Sequence, residues 1–116
     1  MTITIKDSAG IAGMRVAGRL AGELLDYLAP FVKPGVTTNE LDRLADAYTT
    51  QEQGAISAPL NYAPGGHTPY PKAICTSINH QVCHGIPNDK PLKKGDIVNV
   101  DITVIKDGWH GDTSRM

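Results

Sequence analysis

From Ile97 to Ile105 the chain reads Ile-Val-Asn-Val-Asp-Ile-Thr-Val-Ile, and Lys106-Asp107-Gly108-Trp109 follows at once. No other stretch limits the fold so tightly. Alternation puts Val98, Val100, Ile102 and Val104 on one face of a strand. Ile97, Asn99, Asp101, Thr103 and Ile105 fall on the other, which is polar at its centre. Asp-Gly suits the positive φ angles of a type I′ turn, so the strand doubles back as a hairpin. A two-residue turn also sets the register: Lys106 faces Trp109, Ile105 faces His110 and Thr103 faces Asp112. Asp112 then projects from the same face as Asp101, its diagonal neighbour at about 7 Å. One more residue in the loop would send Asp112 to the opposite face.

The apolar face of such a hairpin needs a cover, and the N-terminal half supplies two helices. From Asp7 to about Val32, apolar residues recur at helical spacing: Ile11, Met14, Gly18, Ala21, Leu25 and Leu28, with Leu24 beside them. Asp7 or Ser8 can cap the start, and Lys33-Pro34-Gly35 ends the helix. Thr37 and Glu40 have capping-box spacing for a second helix. Leu41, Leu44, Ala45 and Tyr48 form its apolar face, and the pattern fades near Gln53-Gly54. Residues 58 to 71 are rich in Pro and Gly and read as a long loop. It carries Tyr62, His67 and Tyr70, and is either a binding element or a surface excursion. Ala73 to Ser77 and Gln81 to His84 are expected to be short strands, before a turn at Gly85-Ile86-Pro87-Asn88. The fold class is therefore α+β, with two helices packed on an antiparallel sheet.

Composition narrows the function. With 11 basic and 12 acidic residues in 116, and no basic block, a nucleic-acid partner is not expected. No apolar run reaches the length of a membrane-spanning helix, so no membrane partner is expected either. The start has neither the basic nor the apolar region of a signal peptide. Cys75 and Cys83 are too few for a disulfide scaffold and lack zinc-finger spacing, which suits free thiols in a reducing cytoplasm.

Two carboxylates at the hairpin spacing repel by roughly 2 kcal/mol at an effective dielectric of 20. A divalent cation would offset that cost, and oxygen ligands suit magnesium, manganese, iron(II) or cobalt(II). The alternative is a solvated face on which both aspartates meet water. His84, between Cys83 and Gly85, is either a structural or a catalytic histidine. His80 and His110 have weaker claims.

Three stretches carry a family resemblance: Ser77-Ile78-Asn79-His80-Gln81-Val82-Cys83-His84-Gly85-Ile86-Pro87, Lys94 to Val104, and Asp107-Gly108-Trp109-His110-Gly111-Asp112-Thr113-Ser114. Together with Lys6 to Leu20 and Lys33-Pro34-Gly35-Val36-Thr37, they resemble the N-terminal half of the type I methionine aminopeptidases. The resemblance implies one half of a pita-bread fold, two αβ halves around a curved sheet. It implies metal-dependent removal of the initiator methionine from nascent chains, by a cytoplasmic enzyme, near the ribosome and usually monomeric. Asp101 and Asp112 would be ligands of two divalent ions (cobalt, manganese, iron or zinc). His84 would contact the substrate near the scissile nitrogen as the catalytic histidine. Tyr62, Tyr70 and Cys75 would line the methionine pocket, a fit for a flexible thioether. Asn79 and the backbone near Gln81 would lie by a monovalent-cation site. Against the family pattern, the loop from Ala63 to Pro69 is longer, and Pro59 replaces a small thiol residue. The family's second half, which holds one further histidine and two glutamates for the metals, has no counterpart here. Residues 1–116 thus read as an N-terminal αβ half-domain, inactive alone. The alternative is a non-catalytic half-domain that binds a peptide or protein partner.

Overall fold

The structure, a computed structural model, describes residues 2–116. Helix α1 runs Ser8–Leu28, and Asp7 caps it by accepting a hydrogen bond from the Gly10 amide at 2.7 Å. A short 3-10 turn, Ala29–Phe31, leads away from it. Helix α2 spans Thr38–Ala47 and continues into a single π-helical turn at Tyr48–Glu52. Its cap is half of the expected box. Thr37 Oγ1 accepts from the Glu40 amide at 3.1 Å, while the Glu40 carboxylate turns outward to Arg43.

Four strands follow: β1 Ile56–Ser57, β2 Cys75–Ile78, β3 Val98–Lys106 and β4 Trp109–Arg115. Strand β3 is the hub. Antiparallel β4 lies along one edge; β2 and then β1 share the other. The hairpin has the register that its turn demands, with Lys106 opposite Trp109 and Thr103 opposite Asp112. Asp107 and Gly108 take φ values of 51° and 83°, as a type I′ turn requires. Val98, Val100, Ile102 and Val104 are at most 8% exposed. Leu20, Ala21, Leu24, Leu25 and Leu28 of α1 and Leu41 and Ala45 of α2 join them in one core. Both helices thus cover one sheet face, which leaves the Asp101 face to the site.

Two local expectations change, and one short strand is added. The buried stripe of α1 is Gly10, Ala17, Leu20, Ala21, Leu24, Leu25 and Leu28, whereas Ile11 and Met14 stay 45% and 41% exposed. The reason is the closeness of β4. A Cβ on Gly13 would lie 2.3 Å from Trp109 Nε1, so only small residues fit at the contact and the bulky ones turn away. Gln81 to His84 form no strand. The chain leaves β2 through Asn79 at φ 54°, and Val82 is 92% exposed. Finally, Ile56–Ser57 pairs with Ile105 and Val104, a strand too short for any alternation to announce.

Asp42 of α2 braces the entry to β2. Its Oδ1 accepts from the amides of Ala73 and Ile74 at 2.7 and 3.1 Å. Burial pushes its carboxyl above the usual carboxylate range, and the two amide bonds only partly oppose that. Asp42→Ala should therefore cost about 1–3 kcal/mol in urea unfolding, because two amides lose their acceptor. Asp42→Asn keeps an oxygen there and should cost less. A raised folded value means that the Asp42 contribution is complete below its ordinary value of 3.8 and is lost as pH rises through the folded one. Asp42→Asn should remove that acid-side slope.

Candidate functional site

The polar sheet face is built by strand parity. Cys75 pairs with Asp101 and Ser77 with Asn99 across β2 and β3, while Thr103 pairs with Asp112 across the hairpin. Side chains of paired residues share a face, so Cys75, Ser77, Asp101, Thr103 and Asp112 all point the same way. Asp101 is half-buried and Asp112 exposed at the ribbon's edge. Burial raises the Asp101 carboxyl first; the Asp112 charge and a hydrogen bond between the two carboxyls raise it further. The His84 imidazole lies near enough to Asp101 to pull the other way. The two carboxylates and the histidine therefore converge on one patch.

Cys75 is buried beside them, 9% exposed. Burial pushes its thiol up; a hydrogen bond with Tyr70 opposes this, and the charges of Asp101, Cys83 and Asp112 add to it. It is a neutral wall rather than a nucleophile. The Tyr70 hydroxyl is raised well above the usual phenol range, first by burial and then by Cys75. It donates to the carbonyls of Ile74 at 3.0 Å and Gly85 at 3.3 Å.

The loop between β1 and β2 folds back on itself at the rim of this patch. The Asn61 amide donates to the Tyr70 carbonyl, and the Tyr70 amide to that of Tyr62, at 2.8 and 2.9 Å. Tyr62 is 63% exposed at the loop base, and His67 is exposed near its tip. Asn79 stands apart from the carboxylates, at the far end of β2. Its Nδ2 donates to Asp96 Oδ1 at 3.0 Å and its Oδ1 accepts from the Ile97 amide at 3.1 Å. Its side chain is thus committed to bracing the start of β3, and only its backbone could face a cation. His80 and His110 are exposed.

Ser77 and Cys83 belong to this neighbourhood although the motifs did not single them out. Parity could have found Ser77, two residues beyond Cys75 on the same strand. Nothing local could have placed Cys83, since its segment is irregular. As for metal, the donors are chemically apt: two carboxylates, one of them half-buried, held together against their mutual repulsion. Among the described residues no third His, Cys, Asp or Glu joins them in a metal-holding group.

Residues 12–116 match the model of metallopeptidase family M24. A methionine aminopeptidase of Rickettsia prowazekii is 60% identical over 116 residues, covering 100% of this chain and 42% of the relative. The crystal structure of a methionine aminopeptidase from the same organism superposes with a TM-score of 0.90 at 57% identity, over 99% of this chain and 44% of that one. The methionine aminopeptidase of Thermotoga maritima gives a TM-score of 0.83 at 31% identity, over 97% and 43%. The chain therefore spans under half the length of the proteins it matches, and its architecture is one half of the pita-bread fold.

Proposed function

The chain belongs to metallopeptidase family M24, and we propose that it is the N-terminal αβ half-domain of an aminopeptidase that removes N-terminal methionine. One observation supports this above the rest: Asp101 and Asp112 meet on the polar sheet face with His84 beside them. Asp101 and Asp112 would hold divalent ions, which supply Lewis-acid polarisation of a carbonyl and activation of a water. Cobalt, manganese, iron and zinc all suit a site of this kind. His84 would hold the substrate near the scissile nitrogen, in hydrogen-bonding reach of developing charge. Cys75, kept neutral by burial, and the rings of Tyr70 and Tyr62 offer a wall for a methionine thioether. A monovalent cation near Asn79 would rest on backbone carbonyls, because the side chain is engaged. The substrates would be the N-terminal Met-peptides of nascent chains, met in the cytoplasm near the ribosome by a monomeric enzyme. Among the described residues no helix is long and apolar enough to cross a membrane.

A hybrid tests the reading: this chain in place of the aligned residues of the Rickettsia prowazekii methionine aminopeptidase. Manganese- or cobalt-dependent release of methionine from Met-Ala-Ser is the expected result. A hybrid that melts cooperatively yet releases none would overturn it.

The two-carboxylate set also favours a second reading, a half-domain that binds a peptide without cleaving it. The 116 residues alone should bind manganese no tighter than about 10⁻⁴ M, since affinity follows ligand number and charge. They should release no methionine. Calorimetry that found two tightly held ions would contradict the non-catalytic reading.

A further inference from the structure

We propose that Ser77 and Tyr70 are positioning residues that hold His84 beside the polar sheet face by anchoring Gly85. His84 takes φ 56°, a left-handed conformation uncommon for a residue that bears a side chain, though histidine enters it more readily than most. Upstream, Gln81 is tied to Ile78 of β2, its amide donating to the Ile78 carbonyl at 3.1 Å and its Oε1 accepting from the Ile78 amide at 3.0 Å, but the exposed Val82 and Cys83 separate that tie from His84. The constraint on His84 comes from Gly85. The Gly85 amide donates to Ser77 Oγ at 3.0 Å, and its carbonyl accepts from the Thr76 amide at 2.8 Å and from the Tyr70 hydroxyl at 3.3 Å. Both backbone polar groups of Gly85 are thus committed to β2 and the loop base. The backbone is pressed so closely there that a Cβ on Gly85 would sit 2.0 Å from the Thr76 carbonyl oxygen.

Ser77 is 4% exposed, which rules out a direct contact with a peptide substrate. Its hydroxyl shares the sheet face of Cys75 and Asp101, beneath the segment that carries His84. Tyr70 also donates to Ile74, so the same hydroxyl ties the loop base and the His84 segment to one strand. The activity half of this inference rests on the function proposed above; the geometric half does not.

Amide exchange on the full chain tests the geometry. In Ser77→Ala the Gly85 amide should exchange about tenfold faster, the loss of one buried hydrogen bond. The amides of Ile102 and Val104 should keep their protection, and the backbone coupling of His84 should no longer report its left-handed φ. Ser77→Thr, which retains the hydroxyl, should restore both. Unchanged Gly85 exchange, a persistent left-handed coupling at His84, or equal acceleration of the core amides would each overturn the proposal.

In the hybrid, Ser77→Ala and Tyr70→Phe should lower kcat ten- to a hundredfold on the order expected for misplacement, with KM little altered. On a His84→Ala background they should cost nothing more. Additive losses would overturn the positioning role. Should His84→Ala itself leave activity intact, the proposed function fails, while the exchange result stands on its own.

Discussion

Gly111→Ala should abolish cooperative folding of this chain, or come close to it. A Cβ at Gly111 would lie 2.2 Å from the Ala17 carbonyl oxygen and 2.4 Å from its carbon. Both are backbone atoms in the middle of α1, so no rotamer change can relieve the clash. The helix would have to lift from β4, and with it Leu20, Ala21 and Leu24 would leave Ile102 and Val104. Overpacking that a side chain can absorb costs about 1–3 kcal/mol. Here a whole helix–sheet contact must open, so a loss above about 4 kcal/mol is expected, against a typical total of 5–15. Urea unfolding followed by circular dichroism reads it directly. Gly18→Ala and Gly22→Ala are the controls. A Cβ at either meets nothing within 4 Å, and each should gain up to about 1 kcal/mol from helix propensity. The same substitution in contacting elements should thus have opposite signs. Equal and small effects at Gly18 and Gly111 would mean that the helix does not lie on the hairpin as described.

The contrast between those glycines also shows what the sequence could and could not disclose. The hairpin was legible because everything that sets it is local: alternation from Val98 to Val104, Asp107-Gly108 at the turn, and a two-residue count that puts Asp112 with Asp101. The capped starts of both helices were legible for the same reason. The orientation of α1 was not. Periodicity weighs apolar bulk, so it chose Ile11 and Met14, whereas the sheet selected Gly10 and Ala17 by demanding room. Residues 81–84 look like a strand by composition. Their fate was decided by distant partners, with Asn79 tied to Asp96 and Ile97, and Gly85 tied to Ser77. The candidate site divides along the same line. Its carboxylates follow from strand parity. The approach of His84 to them depends on an anchor contributed by residues seven to fourteen positions away.

Asp112→Asn should separate stability from activity more sharply than any other change. Asp112 is exposed, and its carboxylate meets the Asp101 carboxyl beside it. Its carboxylate does raise the Asp101 carboxyl, a sign of mutual repulsion. Removing that charge should leave urea stability within about 0.5 kcal/mol or improve it slightly. The catalytic consequence runs the other way. Charge stabilisation by a bound metal is worth several kcal/mol, and each 1.36 kcal/mol is a factor of ten. Methionine release by the hybrid should therefore fall on the order of a thousandfold, with weaker manganese binding by calorimetry. A residue kept for the fold would lose stability and activity together. A residue that destabilises its own strand pair and yet is required for turnover is one the fold tolerates for its chemistry. If Asp112→Asn left turnover intact, the converging carboxylates would be no more than a solvated corner of the sheet.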